Sequence, residues 1–382
     1  MTYRLDSFCS LVALAGALSL LTFGCEDDIT THGPIGGSGG TGHTSLGGGG
    51  GDGGLGGLGG IGGGGSGGGP EYVPSAADIG FTPLNSIPSG EQILFNDWAA
   101  PDSLWAMTPD GSTAVEVFRA FRVWSMGAAR GGDQLAFSAG DPNQEDHYGL
   151  TLGDAIQHTW LYDFATESIS VVAYGNINDE CHHFEPGDGA VLVCRRYDFH
   201  FEDPHWLNGG YRIVRIDLSD NSSTFITDEV EQEFHLHPQV TADGSEMWFT
   251  RIQISGTTQY RSIRKMTLPS GTPTLVRDDA SAVHLSPDGT RYLYADSGEQ
   301  NIIYASDLDG QNEVLVANTA GTKATYSPDG SQIVYLQNDG ANNCQHIDVV
   351  AADGSEADAP TRVRDCAQSG EFITQVDWIV VP

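Results

Sequence analysis

The feature that most constrains the fold is a repeat. Ser286-Pro287-Asp288-Gly289 and Ser327-Pro328-Asp329-Gly330 stand 41 residues apart in matching settings. Each precedes an apolar strand (Tyr292-Leu293-Tyr294; Ile333-Val334-Tyr335), a polar loop and a second strand ending in a turn (Leu308-Asp309-Gly310; Ala352-Asp353-Gly354). With the turn glycine as marker, the series runs Gly90, Gly132, Gly189, Gly244, Gly289 and Gly330, at spacings of 42, 57, 55, 45 and 41 residues. A strand follows every marker, from Ile93-Leu94-Phe95 to Ile333-Val334-Tyr335, and a second strand with its hairpin follows that. A period of roughly 40 residues with four short strands per unit is the signature of a β-propeller. Glycine supplies the positive φ that tight hairpins need. Six markers predict an all-β, six-bladed propeller over residues 72–382. Residues 374–380 resemble the strand before each marker but lead into no turn. They are expected to form the inner strand of blade 1 from the far end of the chain. The ring then closes and its strand edges are paired.

The Ser-Pro-Asp-Gly units resemble the WD40-like repeats of TolB-like propellers. The resemblance is strong in the last two units, recognisable in Thr241-Ala242-Asp243-Gly244, and degenerate before that. It implies the fold and leaves activity open, because that family holds scaffolds, binding modules, lyases and peptidase-associated propellers.

Residues 1–24 are expected to be a signal peptide: Arg4 precedes a mostly apolar stretch that runs to Leu21-Thr22-Phe23-Gly24. The stretch is short for a spanning helix. Cys25, after a small residue, resembles a bacterial lipoprotein cleavage and lipidation site. Plain secretion is the alternative. Residues 25–71 are dominated by glycine and are expected to be a disordered linker, since they carry almost no side chains to bury. A flexible chain of that length spans roughly 35–40 Å root-mean-square. The expected location is the cell envelope, with the membrane reached only through the lipid.

Four cysteines lie in the head: Cys181, Cys194, Cys344 and Cys366. The first two straddle the turn at Pro186-Gly187-Asp188-Gly189, and the second two are centred near Gly354. Residues equidistant from a hairpin centre face each other, so disulfides Cys181–Cys194 and Cys344–Cys366 are predicted. An exported chain meets oxidising conditions. A zinc site built from these four cysteines is not expected, because no Cys-x-x-Cys spacing occurs.

Lys and Arg number 17 against 51 Asp and Glu, a net charge near −34. That argues against nucleic acid or an anionic membrane surface as a partner. Acidic composition also serves solubility, and no single run concentrates the charge.

Two places could carry chemistry. The loop of blade 3, Arg195 to Trp206, brings Tyr197, His200, His205 and Trp206 among charges. It suits sugar stacking or a protein anchor, and equally a small satellite core. The second place is the central channel. Side chains alternate along an inner strand, so His235, His237 and Gln239 are expected on one face, with His284 of the next blade matching them. Either His182 or His183 would match in blade 3. Clustered imidazoles suit a divalent metal such as Mn, Ca or Zn. Gln232-x-x-His235-x-His237 also resembles the manganese-ligand spacing of oligogalacturonate lyases, which implies Gln232, His235 and His237 as ligands and His284 as a fourth.

No Gly-x-Ser-x-Gly elbow, His-Glu-x-x-His or phosphate loop is present. Two function classes follow. The first is a surface-tethered, non-catalytic binding or scaffolding propeller for protein or carbohydrate, acting as a monomer. The second is a metal-dependent polysaccharide lyase-like enzyme with its site at the channel mouth, where Arg195 or Arg196 could hold an anionic sugar.

Overall fold

The turns form as their residues dictate. Asp288 Oδ1 accepts hydrogen bonds from Ser286 Oγ (2.6 Å) and the Thr290 amide (3.0 Å). Gly289, at φ +69°, donates its N–H to the Ser286 carbonyl at 2.9 Å. Asp329 repeats this with Ser327 Oγ (2.6 Å) and the Ser331 amide (2.9 Å). Asp243 repeats it with Thr241 Oγ1 (2.6 Å) and the Ser245 amide (3.0 Å). The Thr241 hydroxyl, with the amide and hydroxyl of Ser245, holds the Asp243 carboxyl down at about 2.

The computed structural model describes residues 72–97, 102–129, 133–143, 156–175, 177–187, 189–198, 210–230, 232–296, 298, 301–318, 321–366 and 373–382. Among them the chain forms 25 strands and no helix. One five-stranded sheet has the order β1 (Thr82–Pro83), β4 (Ala114–Arg119), β3 (Ser103–Met107), β2 (Gly90–Asp97), β25 (Val376–Val381). An eight-stranded sheet consists of two antiparallel meanders. They are β5 (Val123–Ala128), β6 (Gln134–Gly140), β7 (Gln157–Asp163), β8 (Ser168–Ala173), and then β9 (Ile177–Phe184), β10 (Val191–Asp198), β11 (Arg212–Asp217), β12 (Ser222–Phe225). One parallel pair, Gln157 with Asn178, joins them. Three further meanders follow. The first is β13 (Glu233–Val240), β14 (Glu246–Ser255), β15 (Thr258–Thr267), β16 (Thr274–Asp278). The second is β17 (Ala280–Leu285), β18 (Arg291–Asp296), β19 (Ile303–Asp307), β20 (Val314–Ala317). The third is β21 (Gly321–Tyr326), β22 (Gln332–Asp339), β23 (Cys344–Ala351), β24 (Thr361–Arg364).

The leading strands neighbour one another: β5 with β9, β9 with β13, β13 with β17, β17 with β21, β21 with β25, and β25 with β5. The apolar core lies between successive sheets, as face-to-face sheet packing requires. Leu94 and Phe118 pack with Phe137 and Trp160, Trp248 with Tyr292, and Leu293 with Ile333. Ile93 and Phe95 pack with Val334 and Leu336, so the first meander meets the last.

β25 pairs antiparallel with β2, from Gly90 opposite Val381 to Phe95 opposite Val376. The buried Asn96 fixes its entry. Asn96 Oδ1 accepts the amides of Thr374 (3.1 Å) and Gln375 (2.8 Å), and its Nδ2 donates to the Val123 carbonyl at 2.8 Å. Both predicted disulfides are present. Cys181–Cys194 bridges directly paired residues of β9 and β10, and Cys344–Cys366 ties the start of β23 to the segment after β24.

Three leading strands share a device that strict alternation does not anticipate. Between Leu236 and Gln239, Ser281 and His284, and Thr322 and Thr325, two residues face one on the partner strand. The first residue of each bulge has a left-handed backbone: His237 (φ 49°), Ala282 (φ 55°) and Lys323 (φ 46°). Each stands four residues before its Thr241, Ser286 or Ser327. A non-glycine residue in this region costs roughly 1–2 kcal/mol, so the surrounding pairing must hold it there.

Candidate functional site at the meeting of the leading strands

All six leading strands line one cavity of about 300 Å³. Its polar side chains include His183 from β9, His237 and Gln239 from β13, His284 from β17, Lys323 and Thr325 from β21, and Gln375 and Asp377 just before and within β25. The bulges put them there. Lys323 and His237 occupy equivalent bulge positions in strands that flank β17, where the equivalent residue is Ala282. That small side chain leaves room for Lys323 Nζ to come within 3.0 Å of His237 Nε2. One register step on, Thr325 Oγ1 is 2.9 Å from His284 Nε2.

Asp377 accepts hydrogen bonds from the amides of Trp378 (2.8 Å) and Ala128 (3.2 Å), the second reaching across to β5. Desolvation outweighs these bonds and pushes its carboxyl up to about 6. Neither Lys323 nor Asp377 was foreseen. Lys323 could have been found by aligning it with His237, each four residues before its turn. Asp377 lies in a strand that the sequence does indicate, but no turn follows from which its facing could be counted.

The structure resolves the ambiguity in blade 3. His182 is the extra residue of an irregularity facing Val193 and Cys194, and His183 lines the cavity. His237, Gln239 and His284 converge there as expected. His235 does not join them. It lies on the far side of the bulge at His237, and one added residue reverses the alternation. Its ring is buried in a second cavity of about 250 Å³ with Glu233, Arg251 and Arg264. His235 Nε2 is 2.9 Å from Glu233 Oε1, and its Nδ1 is 2.9 Å from Thr227 Oγ1. Arg251 also donates to Glu233. Burial alone would raise the Glu233 carboxyl, but its hydrogen bonds from His235 and Arg251 prevail and hold it at about 2. Gln232 is exposed ahead of β13 at φ 60°, its carbonyl accepting the Ile254 amide at 2.9 Å. The expected ligands Gln232, His235, His237 and His284 are therefore not brought to one point.

Arg195 and Arg196 are buried near the end of β10. Arg195 pairs with Glu180 and stacks over Tyr211, its guanidinium carbon 4.7 Å from the ring centroid. Arg196 grips Asp179 through two bonds of 2.7 Å and donates to Ser223 Oγ at 3.1 Å. They are committed to carboxylates of the adjacent strand, which removes them as holders of an anionic sugar. Tyr197 is 9% exposed and packs on Tyr211 with centroids 5.8 Å apart, as a satellite core would have it. His200, His205, Trp206 and Cys25 lie outside the described residues.

No family model matches this chain, and no curated protein matches it. Solved structures do. TolB from Acinetobacter baumannii aligns with a TM-score of 0.56 at 16% identity, over 78% of this chain and 68% of that one. A chain of a nidogen/laminin complex aligns with a TM-score of 0.51 at 8% identity, over 75% of this chain and 100% of that one. An oligogalacturonate lyase in complex with manganese aligns with a TM-score of 0.42 at 13% identity, over 74% of this chain and 76% of that one. At such identities the likeness to the first two speaks for the fold alone, and the third carries no argument. The fold is that of a β-propeller, as in TolB.

Proposed function

We propose that this chain is a non-catalytic binding or scaffolding propeller for a protein or carbohydrate, held at the bacterial cell envelope by a lipid on Cys25 and a glycine-rich tether over residues 25–71. The head is read as six blades, with β25 serving as the inner strand of the first. Support comes from the order in which the leading strands neighbour one another, and from Asn96 and Asp377, which tie β25 to β5. Two disulfides suit an oxidising compartment.

The observation that carries binding over catalysis is the Lys323–His237 contact. An ammonium 3.0 Å from His237 Nε2 occupies one of the two ring nitrogens through which a metal could bind, and it adds positive charge where a cation would sit. Two pairs of cavity side chains, Lys323 with His237 and Thr325 with His284, lie within hydrogen-bond distance of each other, which suits a pre-organised recognition surface.

One observation favours the lyase-like alternative: His183, His237 and His284, from adjacent leading strands, do line a single cavity. The test is incubation of the full chain with polygalacturonate and manganese, watching for the unsaturated product of β-elimination. The binding reading expects none above a Lys323→Ala/His237→Ala control. Product formed by the wild type and lost in that control would replace it with the lyase reading.

A further inference from the structure

One sheet holds a second constellation that the cavity does not use. Asp339 ends β22 and pairs directly with Cys344, which begins β23. His346 lies two residues further along β23, and period-two alternation puts it on the face of Cys344. Cys366 follows β24 and is joined to Cys344 by the disulfide. One donor atom from each of Asp339, Cys344, His346 and Cys366 can be chosen so that all four lie within 4.8 Å of one another. Among the described residues this is the one such grouping of histidine, cysteine and carboxylate. The hydrogen bonds already converge on the imidazole. His346 Nε2 is 3.3 Å from Asp339 Oδ2, and His346 Nδ1 accepts the Cys366 amide at 3.1 Å.

We propose that Asp339, Cys344, His346 and Cys366 form a zinc site that is filled when the Cys344–Cys366 disulfide is reduced. The same point of the fold is then stapled by a disulfide or by a metal. Two thiolates, one imidazole and one carboxylate are a donor set that tetrahedral zinc accepts. Zinc bonds of about 2.0–2.3 Å give donor separations of roughly 3.3–3.8 Å, so the present spacing needs shifts on the order of 1 Å. Cys344 and His346 are buried while Asp339 and Cys366 are half-buried, which gives the ion a protein wall and one open approach. Arg362 sits behind the site. It reaches Asp365 at 3.5 Å, and Asp365 lies 3.5 Å from His346 Nδ1. With zinc on Nε2 the imidazole proton moves to Nδ1, which exchanges the Cys366 amide for Asp365, the orienting partner that metal-bound imidazoles keep.

The chemistry balances with a dithiol as reductant. The dithiol gives two electrons and two protons to the Cys344–Cys366 bond, leaving two thiols, and is itself oxidised to a cyclic disulfide. Zinc then replaces the two thiol protons, which go to solvent. A newly exported chain passes through this dithiol state before oxidation, and zinc there would hold the two sulfurs beside each other and away from Cys181 and Cys194. The other disulfide offers no such alternative, since Cys181 and Cys194 sit in an apolar cluster with Ala136, Leu192 and Val214.

The experiment uses the full chain, reduced with a dithiol, desalted without oxygen, and titrated with cobalt(II) as a spectroscopic probe for zinc. The expected result is one equivalent of cobalt with thiolate charge-transfer bands, displaced by zinc, and none on the oxidised protein. Cys181→Ser/Cys194→Ser should keep the signal. His346→Ala and Asp339→Asn should each weaken binding at least ~10-fold. Zinc should also raise the melting temperature of reduced wild type and not that of Cys344→Ser/Cys366→Ser. The proposal is overturned if reduced wild type binds no more cobalt than Cys344→Ser/Cys366→Ser. It is equally overturned if both single variants bind as tightly as wild type, or if zinc leaves the melting of the reduced protein unchanged.

Discussion

Lys323 Nζ lies 3.0 Å from His237 Nε2, and the two residues meet across Ala282, the equivalent position of the strand between them. All three are the left-handed first residues of equivalent bulges. Backbone strain and side-chain contact thus fall at one level of the cavity, where strain that surrounding structure enforces is most often functional. Ala282→Gly should accordingly be neutral or stabilising by up to ~1 kcal/mol, since glycine takes φ 55° freely. The control is Ala295→Gly in β18, a buried extended position that should lose about 1 kcal/mol or more. Denaturant melts of the two variants check this, and equal losses would contradict the strain assigned to Ala282.

The half-buried Asp377 predicts a pH dependence. Its folded carboxyl titrates at about 6 against a usual value of 3.8, so the folded state binds the proton more tightly. The stability it contributes is fully present below about 4 and is lost as pH rises through about 6. Asp377→Asn keeps the shape and removes the charge. Its stability relative to wild type should rise by about 2–3 kcal/mol between pH 4 and pH 7.5. A difference that does not change with pH would show that Asp377 is not desolvated.

Much of this fold is legible in the sequence because tight turns have chemical requirements. Asp288 must cap its own turn and Gly289 must take positive φ, so the pair marks a hairpin wherever it stands. Hairpin symmetry likewise carried both disulfides, as paired Cys181 and Cys194 show. The site was legible only in part. His237 and His284 were placed correctly because they lie on the turn side of the bulge or at its first residue. His235 was misplaced because a bulge adds one residue with no mark in the composition, and one residue reverses every side chain beyond it. Arg195 and Arg196 were misread for a different cause. Their partners Glu180 and Asp179 stand opposite them on β9, a pairing that only the register reveals.

The same register predicts a stability result. Asp179 is fully buried and its charge is met by the two bonds from Arg196. Arg196→Ala should cost about 3–5 kcal/mol, because it strands a buried carboxylate. The double variant Arg196→Met/Asp179→Leu should recover most of that loss. Chemical denaturation of the three proteins checks it, and a cost below ~1 kcal/mol for the single variant would mean the carboxylate reaches water.

β25 makes a prediction about cooperativity. Removing residues 373–382 leaves β2 with an unpaired edge and Asn96 without the amides of Thr374 and Gln375. The truncated chain should aggregate or lose its single cooperative transition. A truncated chain that melts as the full one does would remove β25 from the account of the ring.

The central claim is that the cavity binds a partner through its own hydrogen-bonded side chains and holds no catalytic ion. Elemental analysis tests it most directly. Oxidised full-length protein is incubated with manganese, calcium and zinc, passed through a desalting column, and compared with a His237→Ala/His284→Ala variant. The account predicts no more metal on the wild type than on the variant. One equivalent retained by the wild type and absent from the variant would contradict it.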